Sequence, residues 1–335
     1  MTRHARISLS FIIMSGLALI LAMACLISGP VDIPTSEVMT ALSGGECSRF
    51  TWTNIVTQLR LPMMVTAAVS GMALAIAGLL MQTAFDNPLA GPSIMGVSTG
   101  ASLGVALAVI IIGSSTVSIL AGALLGAALI IMILSLLSSM VRSTIMLLIA
   151  GIMISYLTSS AISITNYVAT ADSLQTFVVW GLGSFTGVDC KILLTYSMLC
   201  LIPVLASCLF TKPLDALLLG DLYATNLGVN VMSTRTWLLI IAGLLTSIVT
   251  AWCGPIAFIG LAVPHIARMT SGSSSHHILI PLTALAGIVT GLLALWMSLI
   301  PSGYGQLPIN AITPVIGVPI VIYIIINRRR LAYFN

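Results

Sequence analysis

Nine apolar stretches of near-membrane length set the frame for this chain: 8–29, 62–81, 94–112, 116–137, 144–167, 190–210, 235–252, 278–299 and 309–326. Lys191 and Arg235 are the only charged residues in them, and each lies at a stretch's end. A helix crossing roughly 30 Å of hydrocarbon needs about 20 such residues. Between 252 and 278 the segment GPIAFIGLAVPHI offers a shorter apolar run before His265. It crosses only inside a bundle, with its polar ends shielded by protein. Counting it gives ten spans and an all-α polytopic membrane protein.

Composition closes off the soluble alternative. Of the 335 residues, 59% are hydrophobic and only 6% charged, where a soluble domain carries about 25% charge. The net charge of +4 lays out no basic field for nucleic acid. Six cysteines are scattered without CxxC spacing. Cys47 and Cys190 fall on one side of the membrane, yet the set reads as small core residues rather than a disulfide framework. The opening MTRHARISLSFIIMSGLALILAMAC has the basic head of a signal peptide. Its apolar run continues to about Ile27, past the roughly 7–15 residues of a signal core, and reads as a first membrane helix.

Lys and Arg orient the chain. With ten spans and the N-terminus inside, Arg3, Arg6, Arg142, Lys212, Arg235, Arg268, Arg328, Arg329 and Arg330 are inside, and Arg49, Arg60 and Lys191 outside. An odd number of spans would put the C-terminal Arg run outside. Both termini are therefore expected in the cytoplasm. The longest polar stretch, 30–59, is then external and has room for short surface helices, and 171–189 is a second external excursion carrying Trp180 and Phe185 among glycines.

Two regions interrupt the apolar pattern. The first, QTAFDNPLAGPSIMGVSTGASLG (Gln82–Gly104), lies at the inner face between the second and third spans. Pro88 lacks a donor and biases Asn87 away from helix, and Pro92 acts likewise after Gly91. It reads as a tight re-entry turn. The small residues Gly96, Ser98, Thr99, Gly100 and Ser102 then either let helices approach closely or line a wide, uncharged translocation path. The second region is 212–277. KPLDALLLGDLYATNLGVNV is too polar to cross lipid and reads as one or two short helices on the inner surface. In GPIAFIGLAVPHIARMTSGSSSHHILIP a short helix is cut by Pro264. His265 and Arg268 follow on one face, and serines cap the next span. His265 and Arg268 either pin this turn or contact a cytosolic partner. His276 and His277 are adjacent, point apart and form no metal site.

Nothing in the chain supplies energy. It has no G-x-x-x-x-G-K-[ST] phosphate loop. No acidic residue sits in mid-span, as the ion path of a proton-driven pump requires. A transporter powered by another subunit is the economical reading. An ion-coupled secondary carrier for a small organic solute is the alternative, and a non-transporting scaffold or sensor subunit is a third.

The motifs, taken in order, resemble one family. LRLP (Leu59–Pro62), GMALAIAGLLMQ ending at Gln82, NPLAGPSIMGVSTGASLG from Asn87, WGLGSF from Trp180, LLLGDLYATNLGV ending at Val229, GPIAFIGLAVPHIAR from Gly254 and LPINAITPVIGVPIVIYIIINRR are similar to the FecCD-type permease subunits of ABC importers for iron-siderophores, haem and vitamin B12. The resemblance implies a BtuC-like fold and a single permease domain, 1–335, in the bacterial cytoplasmic (inner) membrane. It implies a homodimer with a path at its axis, two cytosolic ABC ATPase subunits and an extracytoplasmic substrate-binding protein. ATP and Mg would be used by the ATPase, with no cofactor or metal on this chain and no catalytic residue.

Site residues follow from the same resemblance. Gly260, Pro264, His265, Arg268, Gly272 and His276, in an inner-face region around 254–277, are expected to dock the ATPase, with 213–228 nearby. Ser143 and Thr144 are expected at the inner constriction, with Ser98 and Thr99 along the path; Gln82, Asn87, Pro88, Pro92, Gly96 and Gly100 form the structural motif. Arg60 and Arg49 are expected to dock the binding protein. Met63 stands where the family often has a second Arg, and WMSLIPSGYG lacks the Arg common at the outer end of span nine. After the docking turn GSSSHH replaces the family's Asp-His-Arg. Ferric siderophore is the cargo expected first, ahead of haem and cobalamin.

Overall fold

A computed structural model describes residues 3–93, 95–141, 143–300 and 306–327, with the side chains of Arg3, Thr144, Ile324 and Ile325 excepted. Arg142 and the arginines at 328–330, used above for orientation, lie outside the described residues.

Every regular element among the described residues is helical. Nine helices occupy the nine apolar stretches: α1 (Arg3–Ile27), α4 (Leu61–Ala84), α5 (Val97–Ile111), α6 (Thr116–Met140), α7 (Thr144–Val168), α9 (Cys190–Ser207), α12 (Val231–Cys253), α14 (His276–Leu299) and α15 (Ile309–Asn327). Short helices fill the polar excursions, as their composition predicts: α2 (Thr35–Leu42) and α3 (Phe50–Asn54) after α1, α8 (Ala171–Gly181) after α7, and α10 (Thr211–Leu217) and α11 (Asp221–Asn226) after α9. The short tenth segment is α13 (Ile259–Ser271). Among the described residues, seven helices are long and apolar enough to cross a membrane, and the helical parts Val97–Ile111 and Ile309–Tyr323 are shorter apolar segments.

One expectation needs correcting here. Pro264 does not cut its helix, because α13 runs through it. The proline removes the bond that residue 264 would donate to the Gly260 carbonyl. That oxygen is instead pressed against Gly78 of α4, where a Cβ would overlap it. Burial against α4 holds the helix together across its missing bond.

Packing without a hydrophobic driving force depends on close backbone approach. Gly71 of α4 meets Gly287 and Gly291 of α14, and Gly100 and Gly104 of α5 meet Gly126 and Gly122 of α6. With α4 at its centre, one cluster of buried apolar residues runs from Leu21 in α1 to Ile309 in α15.

Helix ends gather at two opposite faces. At one, Arg6 of α1 donates to the carbonyls of Thr270 and Met269, closing the C-terminus of α13. The end of α4 and the starts of α12 and α14 lie there too, linked by side-chain bonds. At the other face Arg60 closes the C-terminus of α1, and the start of α15 meets the loops after α8 and α12. These are called the Arg6 face and the Arg60 face.

Candidate functional site

The last turn of α4 and the Asn87–Pro88 turn after it organise the Arg6 face. The chain leaves α4 through Asp86, at φ 45°, and the Asn87 side chain accepts from the Leu89 amide at 2.9 Å, so the polar residues before Pro88 cap the turn. Gln82 donates to the Leu261 carbonyl at 3.0 Å and accepts from Arg268 at 2.6 Å. His265 bonds the Pro88 carbonyl at 2.8 Å. The re-entry turn is thus sewn to α13 by three side chains. Pro92 packs on Gly260, and Gly96, at φ 83°, turns the chain into α5.

His265 and Arg268 are held inside this turn. They are 4% and 5% exposed and their polar atoms serve the turn, which is the pinning alternative. Gly260, Pro264 and His276 are buried as well. Gly272 is the half-buried, left-handed C-cap of α13, lying against Arg6. None of the six buried or capping positions offers a side chain to an outside surface.

His276 joins two elements that the sequence leaves far apart. Its Nδ1 lies 2.7 Å from Asp215 Oδ1, and its Nε2 lies 2.9 Å from the Thr83 hydroxyl. The same carboxylate accepts from the His276 amide at 2.7 Å and, through its other oxygen, from the Ser275 hydroxyl at 3.2 Å. The expected serine cap of α14 is therefore replaced: Ser275 makes no side-chain cap, and Asp215 of α10 caps the helix from outside it. Threonine, histidine and aspartate stand in the order of a hydrolytic triad. The hydroxyl is on a residue only 4% exposed, so no substrate carbonyl reaches it, and the trio works as a tether.

A second tether lies beside it. Arg235 of α12 donates to the Ala84 carbonyl at 2.9 Å and to Asp221 of α11 at 2.8 Å. Asp221 and Arg235 also line a cavity of about 180 Å³ with Ser138, Ser143 and Met232. Ser143 caps α7, accepting from the Met146 amide, while the side chain of Thr144 lies outside the described residues. Ser98, expected on an open path, is 8% exposed within the chain, and the Thr99 hydroxyl is taken by the Gly96 carbonyl at 2.9 Å. Gly100 is buried against α6, so the small residues here serve close packing.

At the Arg60 face the two expected docking arginines part company. Arg49 is exposed, with its guanidinium 5.1 Å from the centre of the Trp52 ring. Arg60 is 6% exposed and donates to the carbonyls of Leu26, Ile27 and Val31. A six-residue π turn, Ile55–Arg60, delivers it beneath the end of α1. Arg60 is a buried cap of α1. Met63 sits beside it, lining an apolar cavity of about 350 Å³ with Leu59, Leu295 and Leu299.

Asn310 is the residue that sequence reasoning missed on this face. Its amide donates to the carbonyls of Gly181 and Pro255, and its oxygen accepts from the Ala257 amide at 3.3 Å. It satisfies the unwound backbone between α12 and α13, which lipid could not solvate. Asn310→Leu removes all three bonds. At about 1–3 kcal/mol for each unpaired buried polar group, the variant is expected to lose most of its folded yield, and Asn310→Asp, which keeps the acceptor but faces the Gly181 and Pro255 carbonyls with a carboxylate oxygen, to lose no less. Size-exclusion chromatography of detergent extracts checks this.

The comparisons with known proteins fit this architecture. The profile of the FecCD transport family matches residues 17–327. The vitamin B12 import system permease protein BtuC of Escherichia coli O9:H4 (strain HS) is 34% identical over 278 residues, covering 82% of this chain and 84% of the relative. Its Salmonella typhi counterpart gives the same identity and coverage. Among solved structures, an inward-facing conformation of a putative metal-chelate type ABC transporter superposes with a TM-score of 0.82 at 27% identity, covering 94% of this chain and 99% of that one. On these grounds the chain belongs to the FecCD transport family.

Proposed function

We propose that this chain is the permease subunit of an ABC importer in the bacterial inner membrane, passing a large metal chelate or corrinoid inward. Cobalamin, a ferric siderophore and haem are the candidate cargoes. The likeness to a B12 permease and to a metal-chelate transporter supports this class. In this reading two copies enclose the path, Ser143 and Thr144 lie at its inner constriction, and the Arg6 face is cytoplasmic. The binding protein docks on the Arg60 face, with Arg49 as its exposed cation. ATP and Mg²⁺ are bound by two ATPase subunits and not by this chain.

The observation that carries the reading is the surface of α10–α11. On these short helices and their flanks, Leu219, Leu222, Tyr223 and Leu227 are 60%, 82%, 67% and 65% exposed. They sit beside the exposed Asn226, on a segment too polar for lipid. An apolar patch rimmed by polar side chains on a lipid-free surface marks a protein interface. The ATPase therefore docks on α11 rather than on the side chains of α13. Leu222→Asp combined with Tyr223→Asp is expected to leave the permease folded, since both side chains are exposed, and to abolish co-purification of the ATPase and ATP-driven uptake. Retained ATPase binding refutes the docking surface. Accumulation by vesicles holding the permease alone with a cation gradient refutes the importer itself. Calorimetric titration of the partner binding protein with cobalamin, a ferric siderophore and haem decides the cargo.

A further inference from the structure

The two short helices of the docking surface each carry one aspartate, six residues apart, and both aspartates reach the same point in the fold. From α10, Asp215 bonds His276, and His276 bonds Thr83. From α11, Asp221 bonds Arg235, and Arg235 bonds the carbonyl of Ala84. Thr83 and Ala84 are consecutive residues at the end of α4. The two basic intermediaries belong to different helices, α14 and α12, so sequence proximity does not bring the arms together.

Exposure falls along each arm. The carboxylate side chains are 39% and 48% exposed, while His276 and Arg235 are 0% and 13% exposed. Each arm begins at the surface of α10–α11 and ends in the core, by direct bonds of 2.7–2.9 Å with no water needed between. Beyond Ala84 the polar chain continues. Gln82 and the Asn87–Pro88 turn are sewn to α13 through Arg268 and His265, so the end of α4, the turn and α13 are tied as one body.

We infer that Asp215–His276 and Asp221–Arg235 form a two-armed clamp that makes the end of α4 and its re-entry turn move with the docking helices. One arm alone is a pivot, because a single bonded chain leaves α10–α11 free to rotate about it. Two arms landing on adjacent residues remove that freedom. A displacement of α10–α11 then either breaks charge-assisted hydrogen bonds, which are the strong ones, or carries α4 and α13 along. The four side chains are positioning residues: they touch neither cargo nor nucleotide.

This inference rests on the reading that the ATPase docks on α10–α11, and its test is separable from that one. The permease, reconstituted in liposomes with its ATPase and binding protein, is assayed for ATP hydrolysis and cargo uptake together. Asp215→Ala with Asp221→Ala is expected to keep ATPase co-purification and hydrolysis near the wild-type level while uptake per ATP falls at least about tenfold, within the usual range of coupling between sites. Each single variant is expected to fall less. Asp215→Asn with Asp221→Asn, whose amide oxygens still accept, is expected to recover most of the loss. Parallel loss of hydrolysis and uptake, or wild-type coupling in the double alanine variant, overturns the clamp.

A second measurement covers a double variant that fails to fold. Spin labels at Leu89 and Thr225, both exposed, are placed in the otherwise unchanged bonding network. Their separation is expected to hold through nucleotide trapping. A change beyond the ~1–2 Å of ordinary helix adjustment shows that the two bodies move independently and overturns the clamp. Failure of the docking reading has a different sign, namely ATPase binding that survives Leu222→Asp with Tyr223→Asp.

Discussion

Gly78→Ala abolishes the folded permease, although it adds a single methyl group. Gly78 lies about three-quarters of the way along α4, where the backbone of α13 crosses it, and the added Cβ would overlap the carbonyl of Gly260. Overpacking by one methyl is usually relieved when a flexible neighbour rotates away, at about 1–3 kcal/mol. Here the neighbour is backbone. The Gly260 oxygen stands there because Pro264 cannot bond it within the helix, so α13 cannot retract the carbonyl into its own ladder. On its far side Gly260 is backed by Pro92, and a Cβ there would meet the Leu74 carbonyl of α4. Relief requires α13 to move off α4, which breaks the Gln82–Arg268 bond at a guanidinium only 5% exposed. The cost is therefore expected at or above the ~3 kcal/mol upper end of ordinary overpacking. Gly16→Ala is the control, since its Cβ meets nothing within 4 Å. Fluorescence-detected size-exclusion chromatography after a heating series checks both. A Gly78→Ala profile matching wild type would mean that α4 and α13 are not in backbone contact.

The same crossing shows what the sequence could reveal. Hydropathy alone located α1, α4 and the long spans, because lipid demands uninterrupted helix and the demand is written residue by residue. The re-entry turn was legible at Asn87–Pro88, since proline acts through local covalent geometry. Pro264 was misread by the same rule. Its local effect is to weaken a helix, but the compensating contact comes from Gly78, far away in sequence. His265 and Arg268 were legible as a pair on one helix face, and their spacing left pinning and docking equally open. Their burial, at 4% and 5% exposed, supports pinning. Asp215, Arg235 and Asn310 were invisible as partners, because each bonds a residue 53 or more positions away. A polar residue inside or beside an apolar span is the signal that could have found Asn310, since its side chain must be satisfied by something.

Arg60 is where the two ways of reading a charged residue predict opposite experiments. An arginine on the external side of a transporter invites assignment to partner docking. If Arg60 docked the binding protein, Arg60→Ala would leave the permease intact and weaken that complex, with an acid placed on the partner able to compensate. The geometry predicts otherwise. The guanidinium holds the carbonyls of Leu26 and Ile27, the last of α1, and of Val31 in the loop beyond. A cation at a helix C-terminus is also favoured by the helix dipole. Bonds to a charged group contribute about 1.5–3 kcal/mol each, and a buried carbonyl left unpaired costs about 1–3. Losing three at once is expected to exceed ~3 kcal/mol even after water enters the neighbouring cavity. Arg60→Ala therefore yields little folded protein, and no charge change on the binding protein restores it. Arg49→Glu, at an exposed position, is expected to change stability by no more than ~0.5 kcal/mol while weakening binding-protein association, more so at low salt. Thermal unfolding of both purified variants and surface-plasmon titration with the binding protein separate the cases. A stable Arg60→Ala permease with impaired docking would return Arg60 to the interface and leave the end of α1 without its cap.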